Sequence, residues 1–296
     1  PTWTLLENAI GELEAPGRPD VETLVFASGM AAISAVLFSQ LRAGDAVVLP
    51  SDGYQALPLV RAQLEAYGVE VRTAPTGGDA QLEALEGARL LWIESPSNPG
   101  LDVCDIRRLA VAAHAQGTLV AVDNTLATPL GQRPLALGAD FTVASGTKQL
   151  TGHGDVLLGY VAGRDAEAMA AVRCWRKIVG AIPGPMEAWL AHRSSATIQL
   201  RVDRQNATAR IVAEALRQRP EVMDLRYPGL PDDPAHPAVS PPRLRWRRRP
   251  RRRPRPPRGQ PRAVASCPTR LAALPPHPSR GPGARHPRSP GAAPAS

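Results

Sequence analysis

Residues 140–154 read Asp-Phe-Thr-Val-Ala-Ser-Gly-Thr-Lys-Gln-Leu-Thr-Gly-His-Gly. The run from Asp140 to Ala144 is β-type in composition and passes into small hydroxyl-bearing residues, then into Lys148. Only two lysines, Lys148 and Lys177, occur in a chain rich in arginine. Such a lysine is a candidate for chemistry closed to arginine. Arginine keeps its proton, whereas a buried lysine amine can lose one and condense with an aldehyde. A solvated surface lysine is the bland alternative, so the weight lies in what the other segments bring to the same place.

Working back toward the start, the pattern is one of alternation. Leu5, Leu6, Ala9, Ile10 and Leu13 recur at helical spacing up to Ala15-Pro16-Gly17. Val21–Ala27 reads as a strand, and Ser28-Gly29-Met30 opens an apolar helix through Leu41. That junction leaves backbone N–H groups unpaired at a helix start, which suits a phosphate. Strands are expected at 46–49, 69–72, 90–93, 118–122 and 157–162, with helices at 54–67, 81–86, 105–114 and 165–179. After the breaker Ile182-Pro183-Gly184-Pro185, helix runs with an interruption from Met186 toward Arg217, and Val222–Arg226 is expected as the first strand of a smaller domain. Strands alternating with helices predict an α/β fold with a mostly parallel sheet covered on both faces. Ligands in such folds sit beyond the carboxyl ends of the strands. Gly29, Asn98, Asp123 and Lys148 each follow a predicted strand and so converge on one edge.

The chain has 296 residues, long enough for one large domain or two ordinary ones. No apolar run is long enough to span a bilayer, and no signal peptide is expected. Three scattered cysteines, Cys104, Cys174 and Cys267, form no disulfide or metal pattern, which points to a reducing cytoplasmic setting. The net charge of +8 joins two unlike parts. Fifteen of the 35 basic residues and none of the 27 acidic ones follow Ser240, so the first 240 residues carry −7 and the rest +15. The tract from Pro241 onward, rich in Pro and Arg, is expected to be disordered. The organisation expected is therefore a large α/β domain over 1–180, connecting helices and the start of a small C-terminal domain over 181–238, and an Arg/Pro-rich tail over 239–296.

Pyridoxal 5'-phosphate needs a lysine for an imine, an acid at its pyridine nitrogen, a phosphate cradle and an aromatic face. Lys148 offers the amine and Asp123 the acid. The Gly29 and Met30 amides with the Ser145 and Thr147 hydroxyls offer the cradle, and Tyr54 the face. Each has a plainer reading: Asp123 as a turn residue, Tyr54 as core packing. For His153 a structural bond to a backbone carbonyl is preferred to a catalytic role.

The segments Ser28-Gly29-Met30-Ala31-Ala32, Glu94-Ser95-Pro96-Ser97-Asn98-Pro99, Val122-Asp123-Asn124-Thr125, Ser145-Gly146-Thr147-Lys148 and Tyr227-Pro228-Gly229-Leu230 occur in that order. In these the chain, over roughly residues 1–238, resembles the Cys/Met-metabolism family of pyridoxal-phosphate enzymes, which includes cystathionine γ-synthase, cystathionine lyases and methionine γ-lyase. The resemblance implies fold-type I architecture, with Lys148 as the imine lysine and proton shuttle. It implies Asp123 as the pyridinium partner and Tyr54 as the stacked ring and, with Lys148, a catalytic residue. Gly29, Met30, Ser145 and Thr147 become phosphate ligands, with Asn98 and Thr125 beside the cofactor. It further implies a homo-oligomer, a dimer of dimers, whose sites are shared between subunits. The chain departs from the family at Tyr54-Gln55-Ala56-Leu57, where Tyr-Gly-Gly-Thr is usual, and at Gln149, where a Tyr is usual. The family's phosphate-clasping N-terminal arm, which would lie before Pro1, and its C-terminal domain with a carboxylate-binding arginine, which would follow Ser240, are expected to be missing from this sequence. In place of that domain the Arg/Pro tract is expected to be a coding region read in the wrong frame.

The activity implied is a cystathionine γ-lyase-type α,γ-elimination giving cysteine, 2-oxobutanoate and ammonia from a small amino-acid substrate. Cystathionine γ-synthase-type replacement on an acyl-homoserine and methionine γ-lyase activity are the alternatives within the family. An inactive fragment, or nonspecific nucleic-acid binding through the +15 tract, is the alternative of another class. A nicotinamide dehydrogenase is disfavoured, because no Gly-x-Gly-x-x-Gly follows a first strand.

Overall fold

A computed structural model describes residues 2–236, which fall within one unit spanning Pro1–Arg245. The expected tail at 239–296 lies outside the described residues. The sheet forms from β1 (Glu22–Phe26), β2 (Ala46–Pro50), β3 (Glu70–Ala74), β4 (Ala88–Glu94), β5 (Leu119–Asp123), β6 (Phe141–Ala144) and β7 (Gly159–Gly163). Their order across the sheet is β1-β7-β6-β5-β4-β2-β3. β6, β5, β4, β2 and β3 pair in parallel, while β7 runs antiparallel to both β6 and β1. β1 therefore points the same way as β6, and the carboxyl ends of β1, β2, β4, β5 and β6 share one edge.

Strand burial explains why these segments read as unbroken apolar runs rather than as alternating ones. In β4, Leu90 and Trp92 face a core built with α2 (Gly29–Gln40), α3 (Leu57–Ala66) and α8 (Ala166–Val179). Leu91 and Ile93 face the opposite way, into a core shared with α4 (Ala80–Glu83) and α5 (Ile106–His114). All four are fully buried, as expected for a parallel strand covered on both faces. A third cluster joins Val25, Ala144, Leu158 and Tyr160 to α1 (Thr2–Glu14), α9 (Pro185–Ser195) and α10 (Ile198–Leu216). Burying one large side chain of this kind contributes roughly 1.5–3 kcal/mol, so the centre of the sheet is the stable platform on which the edge is built.

The sequence expectations hold for the sheet and for the long helices, with three differences. Helix α3 starts at Leu57 rather than Tyr54, because Pro58 sits favourably in its first turn and Tyr54 stays in the preceding loop. The expected strand at Val222–Arg226 does not form; the segment is irregular and is held by side chains instead. Arg226 bonds Asp102 and Asp233, and Asp233 accepts from Tyr227 N at 2.7 Å, so local polar bonds replace a ladder for which no partner strand is at hand among the described residues. Short helices α6 (Thr128–Gly131) and α7 (Pro134–Leu137) fill a stretch that gives no periodic signal, each with a proline in its first turn.

Candidate functional site

The first side of the site is the start of α2. β1 ends at Phe26, and Ser28 caps the helix by accepting from Ala31 N at 3.1 Å. The Gly29 and Met30 N–H groups have no hydrogen-bond partner among the described residues. A Cβ at Gly29 would lie 2.7 Å from Ser145 Cβ, so only glycine lets the helix start press against the turn after β6. Gly159 of β7 serves the same approach, since a Cβ there would lie 2.1 Å from Ser28 O. The Ser145 hydroxyl has no protein partner among the described residues, while its N–H donates to Thr125 Oγ1 at 2.8 Å. Two free backbone donors and a free hydroxyl thus meet at a helix N-terminus, the arrangement that suits an anion.

Asp123 is the last residue of β5, paired in register with Glu94 of β4 and Val143 of β6. It is only 7% exposed and accepts from Thr125 N at 2.9 Å. Burial pushes its carboxyl above the usual range, and the bond from Thr125 opposes that only in part. Glu94 is equally sheltered and accepts from Tyr54 N at 2.8 Å. Burial, with Asp123 and Asp52 adding like-charge repulsion, pushes Glu94 up to about 8. Two buried carboxyls on adjacent strand ends make this edge ready to welcome a cation. Tyr54 and Asn98 are half-buried, and neither side chain has a recorded protein hydrogen bond. The Asp52 carboxylate instead braces the loop before Tyr54 by accepting from Thr76 N and Oγ1.

Lys148 lies on the loop after β6. It is exposed, not buried as a proton-losing amine was expected to be, and no hydrogen bond of its amine is found among the described residues. The loop around it is closed by backbone bonds from Lys148 N to Ser145 O, Thr151 N to Gly146 O and Gly152 N to Lys148 O. A cavity of about 540 Å³ opens beside Lys148, Thr147 and Gly152, with Gln205, Asn206 and Ala209 of α10 on its other wall. Asp123, Tyr54 and Gly29 do not line that cavity. Asp123 and Lys148 are nonetheless joined through their strand ends, because the Thr125–Ser145 bond ties the turn after β5 to the turn after β6.

Thr147 makes a further contact. Its hydroxyl lies 3.1 Å from Leu158 O and accepts from Leu158 N at 2.9 Å, so in this structure it also pins the lysine loop to the segment before β7. His153 sits on Thr151 O at 2.5 Å, the structural bond preferred for it.

Two groups escaped the sequence reading. Glu94 was legible only as part of a motif, although its place as the last residue of a buried strand beside Asp123 was a usable signal. Glu14 is fully buried and accepts from Tyr160 OH at 2.6 Å. Burial pushes it up to about 7 against the bonds and charges of Tyr160, Asn124, Arg133 and Thr142. The i, i+4 series Leu6, Ile10, Glu14 marks the buried face of α1, so the series itself pointed to a buried acid.

Comparison with known proteins shows the family to which this fold belongs. A Streptomyces coelicolor protein provisionally named cystathionine γ-lyase is 82% identical over 246 residues, covering 83% of this chain and 63% of that protein. Cystathionine γ-synthase 1 of Arabidopsis thaliana is 38% identical over 240 residues, covering 80% of this chain and 42% of the relative. The chain thus spans at most about three fifths of the length of these relatives. Among solved structures, apo CalE6 from Micromonospora echinospora superposes with a TM-score of 0.76 at 42% identity, over 81% of this chain and 64% of that one. CalE6 is described as a methionine γ-lyase in that structure and as a cystathionine γ-lyase in another. Residues 1–241 match the family profile, and on that extent of agreement the chain belongs to the Cys/Met metabolism PLP-dependent enzyme family.

Proposed function

We propose that this chain is the cofactor-binding body of a PLP-dependent carbon–sulfur lyase that carries out cystathionine γ-lyase-type α,γ-elimination. The observation that carries the reading is the contact of Gly29 with Ser145, which sets free donors at a helix start beside the strand ends bearing Asp123 and Lys148. The residues present fit the cofactor. Gly29 N, Met30 N and the Ser145 hydroxyl would hold its phosphate, Asp123 its pyridine nitrogen, Tyr54 its ring face and Asn98 its ring substituents, with Thr125 fixing Asp123 and Ser145 relative to each other. Thr147 contributes by holding the lysine loop.

When bound, pyridoxal phosphate supplies an aldehyde that captures the substrate amine and a ring that takes up electron density as protons leave the substrate carbons. Asp123, desolvated and opposite Glu94, holds a proton at the pyridine nitrogen, and the pairing of opposite charges relieves the cost of burying it. Lys148 accepts the proton from the substrate Cα and passes protons between neighbouring carbons, which its position on a loop beside an open cavity allows. The sulfur substituent at Cγ then leaves as cysteine, and one water hydrolyses the remaining four-carbon fragment to 2-oxobutanoate and ammonia.

Replacement on an acyl-homoserine, as in cystathionine γ-synthase, is the second reading, and it draws on relatives of that name at 38% identity in sequence and 35% among solved structures. We assign the chain to the cytoplasm and to a homo-oligomer. Among the described residues no helix is long and apolar enough to cross a membrane. Ile178 of α8, Trp189 of α9 and Ile211 of α10 stay exposed, which supports burial against a second copy.

The test is to load the purified chain with pyridoxal phosphate and supply cystathionine, then separately acyl-homoserine with cysteine. The expected result is a visible absorption band, lost in Lys148→Ala, together with 2-oxobutanoate from cystathionine. A colourless protein, or a band that persists in Lys148→Ala, refutes the cofactor assignment. Cystathionine made from acyl-homoserine, with no 2-oxobutanoate from cystathionine, moves the assignment to the second reading.

A further inference from the structure

Arg201 of α10 spends its guanidinium on the lysine loop. Nη1 donates to Gln149 O at 2.6 Å, and Nη2 donates to Leu150 O at 2.9 Å and to Ser194 O at 3.0 Å. Nε donates to Thr197 Oγ1 at 3.2 Å. Every partner is neutral, so no ion pair is what holds this arginine here. The loop satisfies its own amides at Lys148, Thr151 and Gly152, and the two carbonyls immediately after Lys148 turn outward to meet the guanidinium fork. Gly152 is fitted to the same purpose. Its φ is +72°, and a Cβ there would lie 1.8 Å from Arg201 Nη1. The next residue of α10, Val202, lines the cavity that Lys148 also lines.

We propose that Arg201 is a positioning residue for the Lys148 amine, its planar fork fixing the carbonyls one and two residues beyond the lysine and fastening α10 as the far wall of the cavity. A planar fork with several donors holds two successive carbonyls in a way a lysine ammonium does not. The inference rests on the reading of Lys148 as the cofactor's lysine. Its physical content is that Arg201 governs how readily the Lys148 amine reaches the cofactor aldehyde. That condensation forms one C=N bond and releases one water, while Arg201 itself touches neither partner.

The experiment separates reach from general integrity. Pyridoxal phosphate is mixed with the full chain, and the growth of the visible band reports the rate of condensation. Its non-covalent affinity is measured in a Lys148→Ala background by quenching of tryptophan fluorescence. Arg201→Met is expected to slow condensation about tenfold, the scale on which small misplacement of a reacting group is felt, and to leave the affinity in the Lys148→Ala background within twofold. Arg201→Lys is expected to fall between, and Gly152→Ala to reproduce Arg201→Met by pushing the guanidinium off its carbonyls. Gly152→Ala and Arg201→Lys decide the matter if Arg201→Met does not fold. An unchanged condensation rate in all three variants overturns the proposal, and so does an equal loss of affinity in the Lys148→Ala background. Failure of the underlying reading looks different: the unsubstituted chain gives no band, or Lys148→Ala keeps it.

Discussion

Asp123 and Lys148 follow adjacent parallel strands, yet the protein builds the two positions in opposite ways. Asp123 is the last residue of β5, 7% exposed and held by Thr125 N. Lys148 stands four residues past the end of β6, exposed, on a loop held by its backbone and by Arg201. A carboxyl kept at a strand end pays for its place in desolvation, which is why its proton is held more tightly than usual. An amine on a loop costs little to expose and keeps the freedom to move between partners. The carboxyl is thus part of the sheet platform, and the amine stands on a loop whose backbone is pinned while its side chain reaches out.

The largest expected effect comes from exchanging these roles for inert groups. Lys148→Ala is expected to abolish the covalent link and to lower turnover by about a thousandfold or more, since general-base and covalent contributions are lost together. Asp123→Asn keeps the lysine, so the visible band should persist while turnover falls about a hundredfold, the scale of removing one preorganised electrostatic partner. Absorption spectra and 2-oxobutanoate release from the two variants check this. Identical behaviour of the pair would break the division between platform and loop.

The next effect concerns the platform alone. Glu14 and Glu94 both hold their protons up to about 7 and about 8, against a usual value of 4.5. The folded state therefore binds protons that the unfolded chain has released. Stability from these groups is full below pH 4.5 and is lost as pH rises through about 7 for Glu14 and about 8 for Glu94. For Glu14 alone the loss is about 3 kcal/mol at most. Urea denaturation of the cofactor-free chain is expected to show a lower midpoint at pH 8 than at pH 5.5, and Glu14→Gln should flatten the difference. A rise in stability over that interval would mean that the buried acids are ionised and paired.

Legibility in the sequence followed the same division. The platform was readable because parallel strands buried on both faces leave unbroken apolar runs, as at Leu90–Ile93, and because function gathers where such runs stop. Gly29 and Asp123 were found at those stops. What the sequence did not disclose depends on long-range partners. Nothing local shows that the Thr147 hydroxyl also meets Leu158 O, eleven residues later. Arg201 is one of many arginines, and nothing local marks it as the residue that meets Gln149 O and Leu150 O. Val222–Arg226 had strand composition, yet a strand needs a neighbour, and Asp102 and Asp233 offered Arg226 side-chain bonds instead.

A smaller effect lies at the seam between platform and loop, where Thr125 Oγ1 accepts from Ser145 N. Thr125→Val keeps the shape and the Thr125 N bond to Asp123 but leaves the Ser145 N–H without its acceptor, at a cost of about 1–3 kcal/mol. Thr125→Ser retains the acceptor and should recover most of that loss. If the seam matters for function, Thr125→Val should also weaken pyridoxal phosphate binding, because Ser145 supplies both the bond to Thr125 and the free hydroxyl. Equal loss of stability with unchanged cofactor affinity would mean that the two strand ends are aligned by the sheet alone.

Tyr54 gives the smallest and most discriminating effect. Its backbone N–H is fixed by Glu94 and its carbonyl accepts from Leu57 N at the start of α3, so the backbone is held whatever the side chain does. Its hydroxyl has no partner among the described residues. If the ring serves by its face, Tyr54→Phe should change cofactor affinity by less than about threefold, while Tyr54→Ala should weaken it about fivefold, in line with about 1 kcal/mol for an aromatic stacking contact. A large loss in Tyr54→Phe would assign the work to the hydroxyl. Tyr54 would then join Lys148 among the groups that move protons, and the edge of the sheet would carry chemistry as well as support.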